Sequence, residues 1–483
     1  MRLILKLFLT LCFLCLLAAG VGAAVMVTLG VSQEVLVDRS VRELVRHART
    51  WATGQATGAH FLSFPLAKLQ QQIERPPPDL MLPTLGKGQQ EKRPVRHMER
   101  APIAIKNVAI AHFTVSEDLV KAMSNAQPGQ VIELEPGTHR IQGSLRTGMA
   151  GTATHPITVR ALQTGTVNLE FNTIQGFHVT QPFWRFENLN IRGICADDSQ
   201  CEHAFHVVGS ARGTVILNNH IEDFNAHIKV NGENGQFPDD GLIQFNTFAN
   251  SRPRNTTNPV ALVDLVAASG WRVLDNLVRN FVKVGGNQTS YGIFMKGASS
   301  HGRIERNLII CTTQDISQPG SRVGISWGGG GTDTSSCRDT TCTAEHENGL
   351  AANNVVAHCN DAGLDVNSAR NIRLVHNTLI NTDGVVIRGV SSEVSVIGNL
   401  MDGSVRARGA NTVVQIANAS QGLRNSFPNA DHLRFQPNTE TTPSVPRQLD
   451  VDLDFCGTPR LALSIPGALS DPRTVCFGPE LTR

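Results

Sequence analysis

Tyrosine is almost missing from this chain: Tyr291 is the only one in 483 residues, and tryptophan occurs only at 51, 184, 271 and 327. A surplus of charge is missing too, since 43 Lys+Arg stand against 41 Asp+Glu. That balance removes the electrostatic case for nucleic acid as a partner. The glycine run 328–331 lacks the Lys-Ser/Thr that follows a phosphate-binding loop, so no nucleotide site is supported. What is abundant is glycine, at 43 residues, which fits many short strands and turns better than long helices.

The N-terminus sets the compartment. Arg2 and Lys6 precede an apolar run from Leu7 to Val31, long enough at about 1.5 Å per residue to cross a bilayer core of roughly 30 Å. Residues 1–31 therefore read as a signal anchor, with a cleaved signal peptide as the alternative because Val21-Gly22-Ala23 is a small-residue cleavage site. Both readings export the rest of the chain to the periplasm or extracellular space. Within 32–74, Val37, Val41, Leu44, Val45, Ala48 and Trp51 have helical spacing, as in a juxtamembrane stalk or a surface helix. The Pro-rich, charged stretch 75–100 reads as a linker.

Eight cysteines follow the apolar run, an even number that suits an oxidising compartment. Cys195 with Cys201, and Cys337 with Cys342, are close enough to close small loops; for the second pair, half of a zinc site is the alternative. Cys456 and Cys476 are expected to close the terminal segment, 411–483.

From residue 101 the chain repeats itself. The segment "AMSNAQPGQVIELEPGTHRI" at 122–141 holds a short apolar run between two Pro-Gly turns, a strand signature. An apolar-x-x-Asn-x-apolar hexamer then recurs as "ILNNHI", "IQFNTF", "VLDNLV", "IERNLI", "AANNVV", "LVHNTL" and "VIGNLM". Its asparagines, 219, 246, 276, 307, 354, 377 and 399, are spaced by 27, 30, 31, 47, 23 and 22 residues. Such steps belong to a solenoid with variable loops, and strand-length apolar runs at this period predict a right-handed, single-stranded parallel β-helix over 101–410. The helical turn "SEDLVKAMSNA" would cover its first coil, and residues 311–350 would project as a loop. Asparagine at a coil corner tolerates left-handed angles and can bond along the axis, a structural role. Cys311 and Cys359 take nearly the same phase after their asparagines, so neighbouring coils would bring them within disulfide reach.

The motif A-x-P-G-x-x-I-x-L-x-x-G-x-H at 126–139, followed by "GTATHPITVRA" at 151–161, resembles the opening coil of the pectate-lyase-like β-helix superfamily. It is most similar to the branch that holds chondroitinase B and alginate lyases, polysaccharide lyase family six, over roughly residues 110–405. The resemblance implies a polysaccharide partner and a lyase that cleaves uronate polymers by β-elimination. A non-catalytic glycan-binding surface protein and a C5 epimerase are the alternatives. Relatives in that branch carry closely spaced calcium-binding glutamates and then a catalytic lysine. The equivalent stretch here, "NPVALVDLVAASGWRVLDN", has Asn258 and Asp264 instead.

β-Elimination needs a base for the C5 proton, a cation for the neighbouring carboxylate and an acid for the leaving oxygen. Lys296 interrupts an apolar strand one coil from Asp264 and is the first candidate, with a plain salt bridge to Asp264 as the alternative. His227 and Lys229 lie one coil earlier. Asp239-Asp240 is either a calcium site or an Asp-Asp-Gly turn; no cofactor besides calcium is suggested. Arg388, in phase with Lys296 but about 14 Å away by strand spacing, is a subsite candidate. Trp327, Arg322 and His301 complete the candidate substrate contacts.

Overall fold

A computed structural model describes residues 103–105, 117–313, 318–408, 412–420, 443–448 and 450–471. The expected anchor, juxtamembrane helix and linker, and Cys476, lie outside the described residues. Among those described, no helix is long and apolar enough to cross a membrane.

Three parallel sheets wind up the solenoid. The first has 12 strands, from Ile103–Ile105 to Val413–Ile416; the second has 11, from Gly137–Gln142 to Ala419–Ser420; the third has ten, from Leu145–Arg146 to Ser404–Ala407. Every pairing within them is parallel, and each strand bonds its counterparts in the coils before and after. This is an all-β parallel β-helix, consistent with right-handed winding. It runs past residue 410, because Val413–Ile416 and Ala419–Ser420 continue the first two sheets. The long step of 47 residues is not one loop either: Ser321–Trp327 crosses it as a full strand of the third sheet, separating a short connection from the loop that begins at Gly328.

Two features explain the period. Inward columns such as Phe177, Phe205, Ile228, Val263, Ile293, Ile325, Leu364 and Val385 are in register and wholly buried. The repeat asparagines form a second column: the Oδ1 of Asn246 accepts from both the backbone N–H (2.9 Å) and Nδ2 (3.1 Å) of Asn219, and the pattern continues coil by coil to Asn418. Each Nδ2 also reaches a backbone carbonyl, so no buried amide of the ladder is left unpaired. The left-handed angles fall one residue earlier than expected. Asn218, Phe245, Asp275, Arg306, Asn353 and His376 all have φ between 54° and 57° and turn the chain so that the following asparagine points inward. Each such residue costs about 1 kcal/mol, which the ladder bonds offset.

The helix Glu117–Asn125 packs Leu119 and Met123, four apart, into the core beside the first strands. The bridges Cys195–Cys201, Cys337–Cys342 and Cys311–Cys359 are present, the last with Cα atoms 5.0 Å apart on adjacent coils. Cys456 is disulfide-bonded as well.

Candidate functional site

On the third sheet one outward row runs along the axis between inward, mostly apolar neighbours. In register, this row reads Arg146, His178, His206, Lys229, Asp264, Phe294, Ser326, Asp365, Val386, Arg406. Strand alternation turns these side chains away from the core, and the coil spacing of about 4.8 Å stacks them into a line along the axis.

At its centre three predicted residues meet. Lys229 Nζ donates to Asp264 Oδ2 at 2.5 Å, and Lys296 Nζ lies 3.6 Å from Oδ1 while sitting 4.1 Å above the Phe294 ring. Burial pulls the Asp264 carboxyl up, but the two ammonium groups overcome it and hold it down at about 2. The site is thus two cations sharing one buried anion. Tyr291 stacks on Phe294 with centroids 4.3 Å apart, and burial pushes its phenol up to about 12, so it keeps its proton at neutral pH.

On the N-terminal side lie three histidines. His178 and His206 stack with centroids 5.5 Å apart, and His203 packs 5.1 Å from His206. Burial is the main reason all three rings fall below the usual imidazole range, His203 to about 3. His206 has a defined tautomer: Asn231 Nδ2 donates to the Gly232 carbonyl, which aims its Oδ1 at His206 Nε2 (2.7 Å). Nε2 then carries the proton and Nδ1 keeps the lone pair. On the C-terminal side, Asp365 accepts from Arg388 Nε (2.8 Å) and Ser326 Oγ (3.0 Å). Burial pushes its carboxyl up to about 6 against the pull of Arg388. Arg388 is three strands from Lys296 in the same outward column, as its phase required.

Other candidates are placed elsewhere. His227 is fully buried, packed between Phe224 and Phe248 and bonded to Asn250, so it does not reach Asp264. Trp327 points inward, fully buried against His346, which removes it as a sugar platform. Arg322 is buried at the start of its strand, and His301 is exposed at the corner between the third and first sheets, outside the row. Asp239 is clamped by Arg338 and Asp240 pairs with Arg212, so neither carboxylate joins the row. The φ of +62° at Asp240 is that of a turn. Among the described residues there is no group of three metal-ligating side chains.

The sequence reading missed His178, His203, His206, Tyr291 and Asp365. For three of these the signal was present: "Phe-His-Val" at 177–179 and 205–207 and "Leu-Asp-Val" at 364–366 share the phase of "Ile-Lys-Val" around Lys229 and "Val-Asp-Leu" around Asp264.

No family model matches the chain, and no curated protein matches it. Solved structures to which it is similar include pectate lyase Pel9A (14% identity, 72% of this chain and 90% of that one, TM-score 0.47). A family six polysaccharide lyase from Pseudopedobacter saltans is similar at 13% identity over 74% of this chain and 98% of that one, TM-score 0.38. The A-module of the Azotobacter vinelandii mannuronan C-5 epimerase AlgE6 is similar at 12% identity over 64% and 91%, TM-score 0.42. With every one of these scores below 0.5, the β-helix stands on the chain's own sheets and the chemistry on its own side chains.

Proposed function

We propose that this protein acts on a uronic-acid-containing polysaccharide lying along the third sheet, abstracting the C5 proton and cleaving the chain by β-elimination. The observation that carries the reading is the pair of ammonium groups, Lys229 and Lys296, converging on one buried carboxylate in a row flanked by neutral imidazoles. Lys296 serves as the carboxylate partner in this scheme, since its Nζ already lies 3.6 Å from a carboxylate oxygen of Asp264. A neutral imidazole of the histidine cluster accepts the C5 proton, and the Lys229–Lys296 pair neutralises the charge that develops on the uronate carboxylate. The electrons from the C5–H bond form the C4–C5 double bond, the C4–O bond breaks, and the Tyr291 hydroxyl protonates the leaving oxygen. Return of a proton to the opposite face of C5 instead of C4–O cleavage would make the same site an epimerase.

A second reading is a non-catalytic glycan-binding protein, favoured by the fact that both lysines already have an anionic partner. One experiment separates them: the full-length chain is incubated in D2O with alginate, chondroitin, dermatan and pectate, with and without added calcium. Absorbance of unsaturated uronate that is lost in Lys296→Ala and His206→Gln supports the lyase. Deuterium at C5 without chain cleavage identifies the epimerase, and retention of a polymer with neither signal leaves the binding protein.

A further inference from the structure

The loop that follows Trp327 is tied to the site strands at several points. Glu345, 2% exposed, turns its carboxylate into the glycine run: Oε2 accepts from Gly329 N (2.8 Å) and Thr332 Oγ1 (2.7 Å), Oε1 from Gly331 N (2.8 Å) and Thr332 N (3.2 Å). A buried carboxylate saturated by four donors fixes a turn that glycines alone would leave loose. That turn abuts the site. Gly328 N donates to Met295 O, Ser326 Oγ lies 2.8 Å from Gly328 O and 3.0 Å from Asp365 Oδ2, and Asn367 Nδ2 donates to Gly329 O. A Cβ added at Gly329 would lie 2.8 Å from the Phe294 ring, which shows how closely the backbone covers it.

The middle of the loop is tied as firmly. Arg338 grips both oxygens of Asp239 (2.7 and 2.9 Å) and lies 4.4 Å over the Phe237 ring. Its backbone N–H donates to the carbonyl of Gly297, the residue after Lys296. Cys337–Cys342 closes the chain beside it. The loop therefore grips the C-terminal ends of the strands that carry Lys296, Ser326 and Asp365, and exposes Gly330, Gly331, Asp333, Thr334 and Ser336 on its outer side.

We infer that the loop from Gly328 to Glu345 is the specificity wall of the polysaccharide groove, with Glu345 and Arg338 as positioning residues that hold it against the strands of Lys296, Ser326 and Asp365. The inference rests on the polysaccharide reading above. It assigns recognition of hydroxyl groups to the loop's Thr and Ser rim and leaves the acidic group to the lysines.

The test uses the full-length chain with Arg338→Ala, Glu345→Gln and the exchanged pair Asp239→Arg/Arg338→Asp. Affinity electrophoresis with the same four polymers gives Kd, turnover gives KM and kcat, and hydrogen exchange reads the turn 328–332. Arg338→Ala and Glu345→Gln should weaken binding or raise KM about tenfold, with a smaller change in kcat and a shifted preference among the polymers. The exchanged pair should restore binding, which a general loss of stability would not allow. Faster exchange at 328–332 with unchanged Kd would overturn the wall alone. Failure of the unaltered protein to hold any of the polymers would overturn the polysaccharide reading and the wall with it. If Arg338→Ala does not fold, Glu345→Gln and the exchanged pair decide the matter.

Discussion

On the second sheet one outward column reads Leu277, Leu308, Val355, Thr378, Leu400, Ala419; on the third the outward row reads His206, Lys229, Asp264, Phe294, Ser326, Asp365. The columns overlap in three coils, where Leu277, Leu308 and Val355 precede Phe294, Ser326 and Asp365, and both are stacked by the same period. The apolar one is covered by the chain itself: Phe455, Ala468 and Leu469 of the terminal segment pack on it, and Arg460, 3% exposed, pins that segment through Asn353 and the carbonyls of Gly467 and Ala468. The charged one spends its polar groups on each other, and at Phe294 and Ser326 it meets the loop that starts at Gly328 instead of the terminal segment. Exterior chemistry, not the coil, decides which face of this solenoid the terminal segment covers.

That difference can be broken from either side. The largest effect expected is on activity: Lys296→Ala should lower kcat/KM on the polymer that is turned over by about a thousandfold, because a cation facing developing charge is lost. Its thermal midpoint should change little, since Lys229 at 2.5 Å still pairs the buried Asp264 carboxylate. Phe455→Ala should do the reverse, lowering unfolding free energy by about 3 kcal/mol in denaturant titration with kcat/KM intact. Equal damage to stability and activity in either variant would mean that the faces are not separate in function.

The period of the solenoid was legible because it is written in local chemistry: a buried asparagine that must bond to its neighbours recurs in every coil. The Cys311–Cys359 bridge followed from the same phase. Outward residues were harder to read, since nothing local distinguishes Lys229, which joins the site, from His227, two residues earlier and buried behind Phe224 and Phe248. Trp327 misled for a related reason. A large aromatic beside glycines suggests a sugar platform, but strand alternation puts it in the same inward column as Met295 and Val366. The clamp from Arg338 to Asp239 spans 99 residues, and no sequence period carries a contact made by an insertion.

Histidines sharpen the comparison further. His203 belongs to the charged face and His376 lies under the terminal segment near Arg460, and burial lowers both rings to about 3. Unfolded, each ring takes up a proton below about 6.5, while the folded protein refuses it until about 3. Their contribution is therefore complete above pH 6.5 and is lost as pH falls from there toward 3, by at most about 1.4 kcal/mol per unit and per ring. Chemical denaturation at pH 7, 6 and 5 should show a flatter decline in His376→Gln, with the pH profile of activity unmoved. His203→Gln should flatten the decline and also shift the activity profile, since its ring packs on His206.

The smallest effect belongs to the rim, outside both faces. Arg212 and Asp240 pair at 3.0 Å with side chains 60% and 58% exposed, so water and salt screen the attraction and Asp240→Asn should cost less than about 0.5 kcal/mol. A calcium ion on Asp239 and Asp240 would predict otherwise: chelation would lower the thermal midpoint and the Asp240→Asn variant would no longer respond. An unchanged midpoint on chelation would leave Asp239 as the anchor of Arg338 and Asp240 as a turn residue, which would put the rim's charges in the service of the loop and not of a metal.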